Sequence, residues 1–197
     1  MSAWLSPGQT DYIVRRADSV ESHAQGLGHF ADMTSSSCVR RAAHIDAPAL
    51  AHLRYALRAG LAPAEEESAT FLARCQEWMA DRLRPGGPWR CWVAERDRSI
   101  VGAIWMQIVE KIPNPLGEGE WHGYITNFFV DERVRGEGIG SALLTALVCA
   151  PEAQGLDALF LWPTDRSRGL YHRFGFVGEG GVIERRPAAG PPRRLDV

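Results

Sequence analysis

The sequence predicts one α/β domain with the element order β-α-α-β-β-β-α-β-α-β. Three observations carry this reading. An apolar run at 124–130 reads as a strand, meets a charged turn and the alternating glycines Gly136, Gly138 and Gly140, and passes at once into apolar helical spacing. Two further apolar runs, 89–95 and 100–109, flank the short polar turn Arg96-Asp-Arg-Ser99, the pattern of a hairpin. Two helical patterns precede that hairpin, and a strand and a short helix follow the glycine turn.

Composition sets outer bounds. At 197 residues one domain is expected. A formal net charge of −2 gives no reason to expect nucleic acid or an anionic membrane as partner. No apolar run approaches the ~20 residues that span a bilayer. The N-terminus lacks a basic start followed by an apolar stretch, so the expectation is a cytoplasmic protein without a secretory leader. The four cysteines, Cys38, Cys75, Cys91 and Cys149, are scattered with no C-x-x-C, which favours reduced thiols over disulfides or zinc ligands. The six histidines show no metal spacing, and no metal is expected.

Along the chain, residues 1–35 are polar, rich in Gly, Ser and Pro, and read as a weakly ordered extension. Within them Val14-Arg-Arg-Ala17 repeats later as Val39-Arg-Arg-Ala42, and only the second copy leads into a helix signal. The domain is expected at 36–190. Its first strand spans 38–42. Asp46 is placed to cap a helix with Pro48 in its first turn and Leu50, Leu53 and Leu57 on one face, ended by Gly60. A second helix is expected from about Pro63, with Glu65, Glu66 and Glu67 in its first turn, where acids suit the helix dipole. Its apolar stripe is Phe71, Leu72, Cys75, Trp78, Met79 and Leu83, and Arg84-Pro-Gly-Gly-Pro88 stops it. After the hairpin, 111–122 reads as a Pro/Gly loop and 124–130 as the next strand. The following helix covers 138–150, with Pro151 opening a separate last turn before Gly155. A strand at 158–162, a short helix at 166–173 and strands at 176–177 and 182–186 complete the domain. The sequence is Pro/Arg-rich from Pro187, and 191–197 reads as a loose tail.

The glycine turn is a ready-made anion site. Glycines let backbone N–H groups take unusual dihedrals and approach a ligand, and a helix N-terminus then faces phosphate oxygens. Arg135 adds a positive charge, so a pyrophosphate-bearing cofactor is expected. A dinucleotide fingerprint would need its third glycine where Ser141 stands, and a P-loop needs a lysine that is not there. What the residues spell is R-x-x-G-x-G, Arg135-Gly-Glu-Gly138-Ile-Gly140, followed by Ser-Ala-Leu-Leu. This resembles the acetyl-CoA loop of the GNAT superfamily of N-acetyltransferases. A second block, Leu170-Tyr-His-Arg-Phe-Gly-Phe176, is similar to that family's LY-x-x-x-GF and stands one strand and one helix later. The resemblance covers roughly 38–186.

The resemblance implies the GNAT acyl-CoA N-acyltransferase fold, a mixed, strongly twisted α/β sheet with helices on both faces. It implies acetyl-CoA as acetyl donor and direct transfer to a primary amine in a ternary complex. Arg135, Gly136, Glu137, Gly138, Ile139, Gly140 and Ser141 would cradle the pyrophosphate. Main-chain groups of Phe128, Phe129 and Val130 would hold the pantetheine arm like an added strand. Thr164 and Ser167 stand where the family often has asparagine and alanine, and contact with the cofactor is expected there. Tyr171 would be the general acid that protonates the leaving thiolate. The N–H of Phe129 or Val130 would stabilise the oxyanion.

The base is less defined. The family's strand glutamate corresponds here to Tyr124. Glu120 and His122, just upstream, are the candidates, each alternatively a solvated loop side chain, and a water chain ending on backbone carbonyls is the other route. Trp105 and Trp121 flank the 111–122 loop and are expected as acceptor-pocket walls. The Glu110, Glu118 and Glu120 cluster would attract a cationic amine. No cysteine sits in a nucleophile context, which disfavours a ping-pong route. A small-molecule amine is favoured over a peptide or protein amine, with the chain a monomer or homodimer. The rival reading is a non-catalytic acyl-CoA-binding module.

Overall fold

The structure is a computed structural model and describes residues 37–178 except 114 and 116–118. The expected extension at 1–35, the strand at 182–186, the tail at 191–197 and Glu118 lie outside the described residues. Strand β1 (Cys38–Arg41) leads through a short 3-10 turn into α1 (Ala47–Ala59) and α2 (Ser68–Arg82). Then come β2 (Trp89–Arg96), β3 (Ser99–Glu110), β4 (Trp121–Val130), α3 (Ile139–Val148), α4 (Pro151–Gln154), β5 (Ala158–Phe160) and α5 (Asp165–Arg173). Over this stretch the order is the expected one. The five strands form one sheet in sequence order, antiparallel except for the parallel β4–β5 pair.

Period-two alternation sorts the strands into two cores. Cys91, Val93, Ala103 and Trp105 face α1 and α2, where Leu50, Ala51, Cys75 and Met79 cover them. Trp92, Ala94, Ile104, Met106 and Ile125 face the other side, against Leu143, Leu144 and Leu147 of α3, Ala153 of α4 and Tyr171 of α5. The three α3 leucines are fully buried, each worth about 2 kcal/mol relative to exposure. The β2–β3 hairpin turns on Asp97 and Arg98, both left-handed at φ 50° and 62°, the backbone that matches the right-handed strand twist.

Several boundaries differ from the sequence expectation. Asp46 does not cap α1. Its carboxylate turns back to accept the Ala43 N–H at 2.8 Å and two bonds from the Arg40 guanidinium at 2.8 and 2.9 Å. α2 begins at Ser68 rather than near Pro63, because Glu67 supplies the cap by accepting the Thr70 N–H at 2.9 Å. Glu66 pairs with Arg74. β4 begins at Trp121, not Tyr124: Glu110 pairs with Trp121 across the hairpin, and the Lys111 N–H bonds the Glu120 carbonyl at 2.8 Å. Residues 176–177 form no strand, because the Phe176 N–H folds back onto the Tyr171 carbonyl at 3.1 Å. Pro151 does open a separate turn, as its missing N–H requires.

Two irregularities in β4 shape the site. Trp105 faces Thr126 and Ala103 faces Phe129, so Ile104 opposes both Asn127 and Phe128. This is a β-bulge, and Asn127 takes the left-handed conformation with φ 48°. β5 pairs only with His122, Gly123 and Tyr124. Beyond Tyr124 the two strands part, and the β5-facing edge of β4 from Ile125 to Val130 has no strand partner among the described residues.

The Arg40–Asp46 pair ties β1 to the turn before α1 and generates a stability prediction. Asp46 is buried, and the Arg40 guanidinium holds its carboxyl below the usual value of 3.8. A depressed carboxyl contributes stability above its unfolded pKa and loses it as pH falls through the folded one. Asp46→Asn is expected to cost about 1–3 kcal/mol at neutral pH, as a buried hydrogen-bonded charge pair loses one partner. Urea melts of wild type and variant should converge as pH drops below 3.8. A gap independent of pH would show that the charge is not what stabilises this corner.

Candidate active site

The β4 C-terminus feeds the glycine turn. Asp131 accepts the Arg133 N–H at 3.0 Å, and a 3-10 turn (Glu132–Val134) leads to Arg135. Gly136 and Gly138 sit at φ 85° and 83°, and a Cβ at either would meet nothing within 4 Å. Their role is therefore conformational. Only glycine adopts this backbone without strain. Gly138 is the N-cap of α3 and supplies no side-chain bond. The N–H groups of the first α3 turn have no partner within the helix, and they form the anion-facing end. Gly140 differs from the other two: its φ is ordinary, and an added Cβ would make normal contacts with Phe128 and Leu170 at 3.6 and 3.7 Å.

Arg135 is fixed by the strand rather than free in the turn. Its Nε donates to the Val130 carbonyl at 3.0 Å, its Nη1 to Glu132 at 2.7 Å, and its guanidinium lies 5.6 Å from the Phe129 ring centroid. Glu137 turns its carboxylate to Arg96 of β2.

A groove of about 520 Å³ runs along the open edge of β4 to this turn. It brings together Phe128, Phe129, Val130, Arg135, Gly136, Gly138, Ile139 and Gly140 with Thr164, Ser167 and Tyr171 of the far wall. Glu137 and Ser141 are not among its lining residues. Thr164 and Ser167 also form the α5 cap, with the Thr164 N–H donating to Ser167 Oγ at 3.0 Å. Arg58 of α1 and Arg166 of α5, which sequence reading passed over, add positive charge to the same groove. The groove thus offers a cationic, N–H-rich end for phosphates and an unpaired strand edge for an amide-bearing arm.

Tyr171 is buried, with its ring edge-on to Phe128 at 6.2 Å and Phe176 at 5.6 Å. Burial pushes its phenol up to about 12, so it stays protonated across the physiological range.

A second cavity of about 670 Å³ lies on the α1/α2 face. Trp78, Trp89 and Trp105 form its aromatic floor, with ring centroids 5.3 to 6.1 Å apart. Phe71, Arg74, Cys75 and Met79 of α2 and Arg54 of α1 complete the walls. Arg54 Nη1 donates to Asn127 Oδ1 at 3.2 Å, and burial lowers its pKa. Burial raises the Cys75 thiol, which leaves it a poor nucleophile. Tyr124, Thr126 and Asn127 line both cavities, so the two meet at the bulge.

Trp105, expected as an acceptor-pocket wall, lines this second cavity. Three other expected acceptor-side residues are elsewhere. Trp121 points to the α3/α4 face, because it alternates with Tyr124 and Thr126, and it lines a separate surface pocket with Ile108 and Pro151. Glu120 is exposed just before it, about 20 Å along the strand from Asn127. His122 packs against Phe160 at 6.2 Å. Neither Glu120 nor His122 lines either cavity. The acidic loop feeds the end of β4 away from the bulge, and neither Glu110 nor Glu120 lines either cavity. The residues missed were Arg54 and Asn127. The signals were an arginine inside an apolar helix stripe and an asparagine, tolerant of left-handed backbone, inside an apolar strand.

Among the described residues no group of three or more His, Cys, Asp or Glu is placed to hold a metal. No helix among them is long and apolar enough to cross a membrane.

No curated protein matches the chain. Solved structures do. A protein from Clostridium acetobutylicum, described as a predicted acetyltransferase and solved with acetyl-CoA, is 20% identical with a TM-score of 0.61, over 77% of this chain and 96% of its own. A GCN5-related N-acetyltransferase from Ralstonia eutropha JMP134 is 25% identical with a TM-score of 0.61, over 79% of this chain and 100% of its own. An aminoglycoside acetyltransferase from an uncultured soil metagenomic sample, solved with sisomicin, is 19% identical with a TM-score of 0.57, over 78% and 97%. The model of the acetyltransferase (GNAT) family matches residues 54–176, which hold α2, the hairpin, the bulged strand, the glycine turn and Tyr171. With more than half of its length matched, the chain belongs to the acetyltransferase (GNAT) family of acetyl-CoA-dependent N-acetyltransferases.

Proposed function

We propose that this chain moves the acetyl group of acetyl-CoA directly to a primary amine of a small molecule held in the α1/α2 cavity. One observation carries the reading: a groove that ends at the glycine turn and an aromatic cavity meet at Tyr124, Thr126 and Asn127, so a donor in one and an acceptor in the other would reach each other across one strand. This is the layout a ternary complex needs. The protonated Cys75 thiol supports direct transfer over a covalent enzyme intermediate.

Each step has a residue. The first α3 turn and the Gly136–Gly138 backbone hold the pyrophosphate. The open edge of β4 takes the two pantetheine amides and directs the thioester to the bulge. There the amine nitrogen attacks the carbonyl, the N–C bond forms, and a β4 N–H, that of Phe129 or Val130, stabilises the oxyanion. Such a fixed donor is worth on the order of 3 kcal/mol. The C–S bond then breaks, Tyr171 gives its proton to the thiolate, and the proton shed by the acylated nitrogen passes through water to restore the phenol.

Among the described residues no carboxylate or imidazole lines either cavity. The amine therefore loses its proton to water rather than to Glu120 or His122, and it binds as the free base. A pure acyl-CoA-binding module would have no use for the buried, protonated phenol beside the groove or for the aromatic cavity that opens onto it.

Three measurements test the reading. Gly138→Asp puts a side chain and a negative charge on a residue with φ 83° at the anion site. Acetyl-CoA should raise the wild-type Tm by mass action, and the folded variant should lose that rise. An unchanged rise would move the cradle elsewhere. Tyr171→Phe keeps the ring and removes the acid. General acids contribute ~10²–10⁴-fold, and a thiolate leaves readily, so kcat should fall at least about tenfold with acetyl-CoA affinity little changed. A rate within about twofold of wild type, with chemistry rate-limiting, would make Tyr171 structural. Finally, kcat/KM should climb about tenfold per pH unit up to the amine's own pKa, with no falling limb from Tyr171 through pH ~10. A plateau beginning near pH ~6–7 for an amine of higher pKa would reveal an enzyme base.

A further inference from the structure

The α1/α2 cavity carries one orphaned buried donor, one guanidinium without a carboxylate partner, and no acid among its lining residues. Trp105 is 1% exposed, and its Nε1 is the one buried side-chain polar atom without a hydrogen-bond partner among the described residues. Buried polar atoms are normally paired; this N–H is closed to solvent, but Trp105 lines the cavity, so a ligand acceptor would reach it on a small movement of the wall. Arg54 lines the same cavity. It makes one bond, to the neutral Asn127 amide at 3.2 Å, and has no carboxylate partner among the described residues. A guanidinium offers five donors, so most of Arg54's are left for a ligand. The two donors flank adjacent β4 residues: Trp105 pairs with Thr126, and Arg54 holds Asn127. The second arginine on the wall, Arg74, is paired with Glu66. The remaining walls are aromatic or apolar, with Phe71, Trp78, Met79 and Trp89.

From this arrangement we infer that the acceptor is an amine whose aromatic or apolar body also carries an anionic group, a carboxylate or phosphate, bound by the Arg54 guanidinium and the Trp105 Nε1–H. A partly buried cation with no counter-ion is costly, and an anionic ligand supplies the missing charge. A polyamine or another polycation would meet Arg54 with like charge in a low-dielectric cavity and has no carboxylate there to receive it. Burial lowers the Arg54 pKa, and the neighbouring Arg58 lowers it further, consistent with an unmet demand for negative charge. The inference rests on the reading of this cavity as the acceptor site. It reverses the expectation that an acidic loop selects a cationic substrate.

The test compares amines that differ only in the anionic group, at saturating acetyl-CoA with CoA release as readout. The carboxylate arm is L-phenylalanine against phenethylamine, and the phosphate arm is tyramine O-phosphate against tyramine. In parallel, 3-phenylpropionate is titrated into the protein holding CoA, and quenching of the cavity tryptophans is followed. This second readout needs no chemistry, so it separates failure of the acetyl-transfer reading from failure of this inference. At least one anionic amine should exceed its uncharged-group counterpart by about tenfold or more in kcat/KM. The responding arm identifies carboxylate or phosphate. Arg54→Gln should lower kcat/KM for the anionic amine at least about tenfold more than for its counterpart, Arg54→Lys should restore part of that preference, and Trp105→Phe should weaken it. If phenethylamine and tyramine match or exceed their anionic partners, or if Arg54→Gln lowers every amine by the same factor, the inference is overturned. If no amine is turned over, quenching by 3-phenylpropionate that Arg54→Gln removes still upholds the anion site. Absence of quenching then overturns it.

Discussion

The site depends on one constraint, the bulge at Asn127 in β4. Without it, Phe128 and Val130 would lie on the same face as Tyr124 and Thr126. The extra residue flips them to the α3/α5 face, where Phe128 meets Tyr171 and Val130 lies beside Leu143. The same residue faces Arg54 on the other side. One left-handed asparagine thus gives the strand two allegiances: before it, side chains furnish the α1/α2 cavity, and after it, they furnish the groove that ends at the glycine turn. A left-handed non-glycine residue persists only when its surroundings over-determine it. Here the Arg54 bond and the paired strand β3 do so.

The parting of β4 and β5 is the second half of this arrangement. A sheet interior leaves no room for a ligand, and an open edge invites unwanted pairing. β5 is only three residues long, so pairing ends at Tyr124 and the groove begins. Gly123, the last glycine before the parting, permits close approach. A Cβ there would come within 2.5 Å of Leu159 and 2.9 Å of Met106. The aromatic stack of Tyr124, Phe160 and Trp162, with centroids 4.7 to 5.6 Å apart, closes the end of the paired region. Strand pairing, packing and ligand access are therefore set within a few residues of one another.

Charge placement follows from topology rather than from sequence proximity. Glu110 and Glu120 are near Tyr124 along the chain, yet they sit at the far end of a long hairpin. Arg54 is distant in sequence from β4 and touches it. The cavity's electrostatic character is consequently that of α1, a positive charge within an aromatic enclosure. The acidic loop is instead anchored to the sheet, because Lys111 bridges the Gly119 carbonyl and Asp157 and so ties the loop to the start of β5.

The sequence alone determined the element order over the described residues, the hairpin, the break at Pro151 and the glycine turn into α3. Each rests on local physics: period-two and helical spacing, proline's missing N–H, and glycine's access to left-handed backbone. Tyr171 and Arg135 were legible because they belong to short blocks with fixed spacing. Helix starts were less legible. Asp46 and Glu67 are both good acceptors near a helix start, and only Arg40, brought alongside by β1, decided that Asp46 would turn away from the cap. The α1/α2 cavity was decided by tertiary structure. Its wall comes from α1, α2, β2, β3 and β4, and no local pattern links Arg54, Trp78 and Trp105. Trp121 and Glu120 looked adjacent to the site because loop position was read as distance, while strand alternation and the length of β4 carried them away.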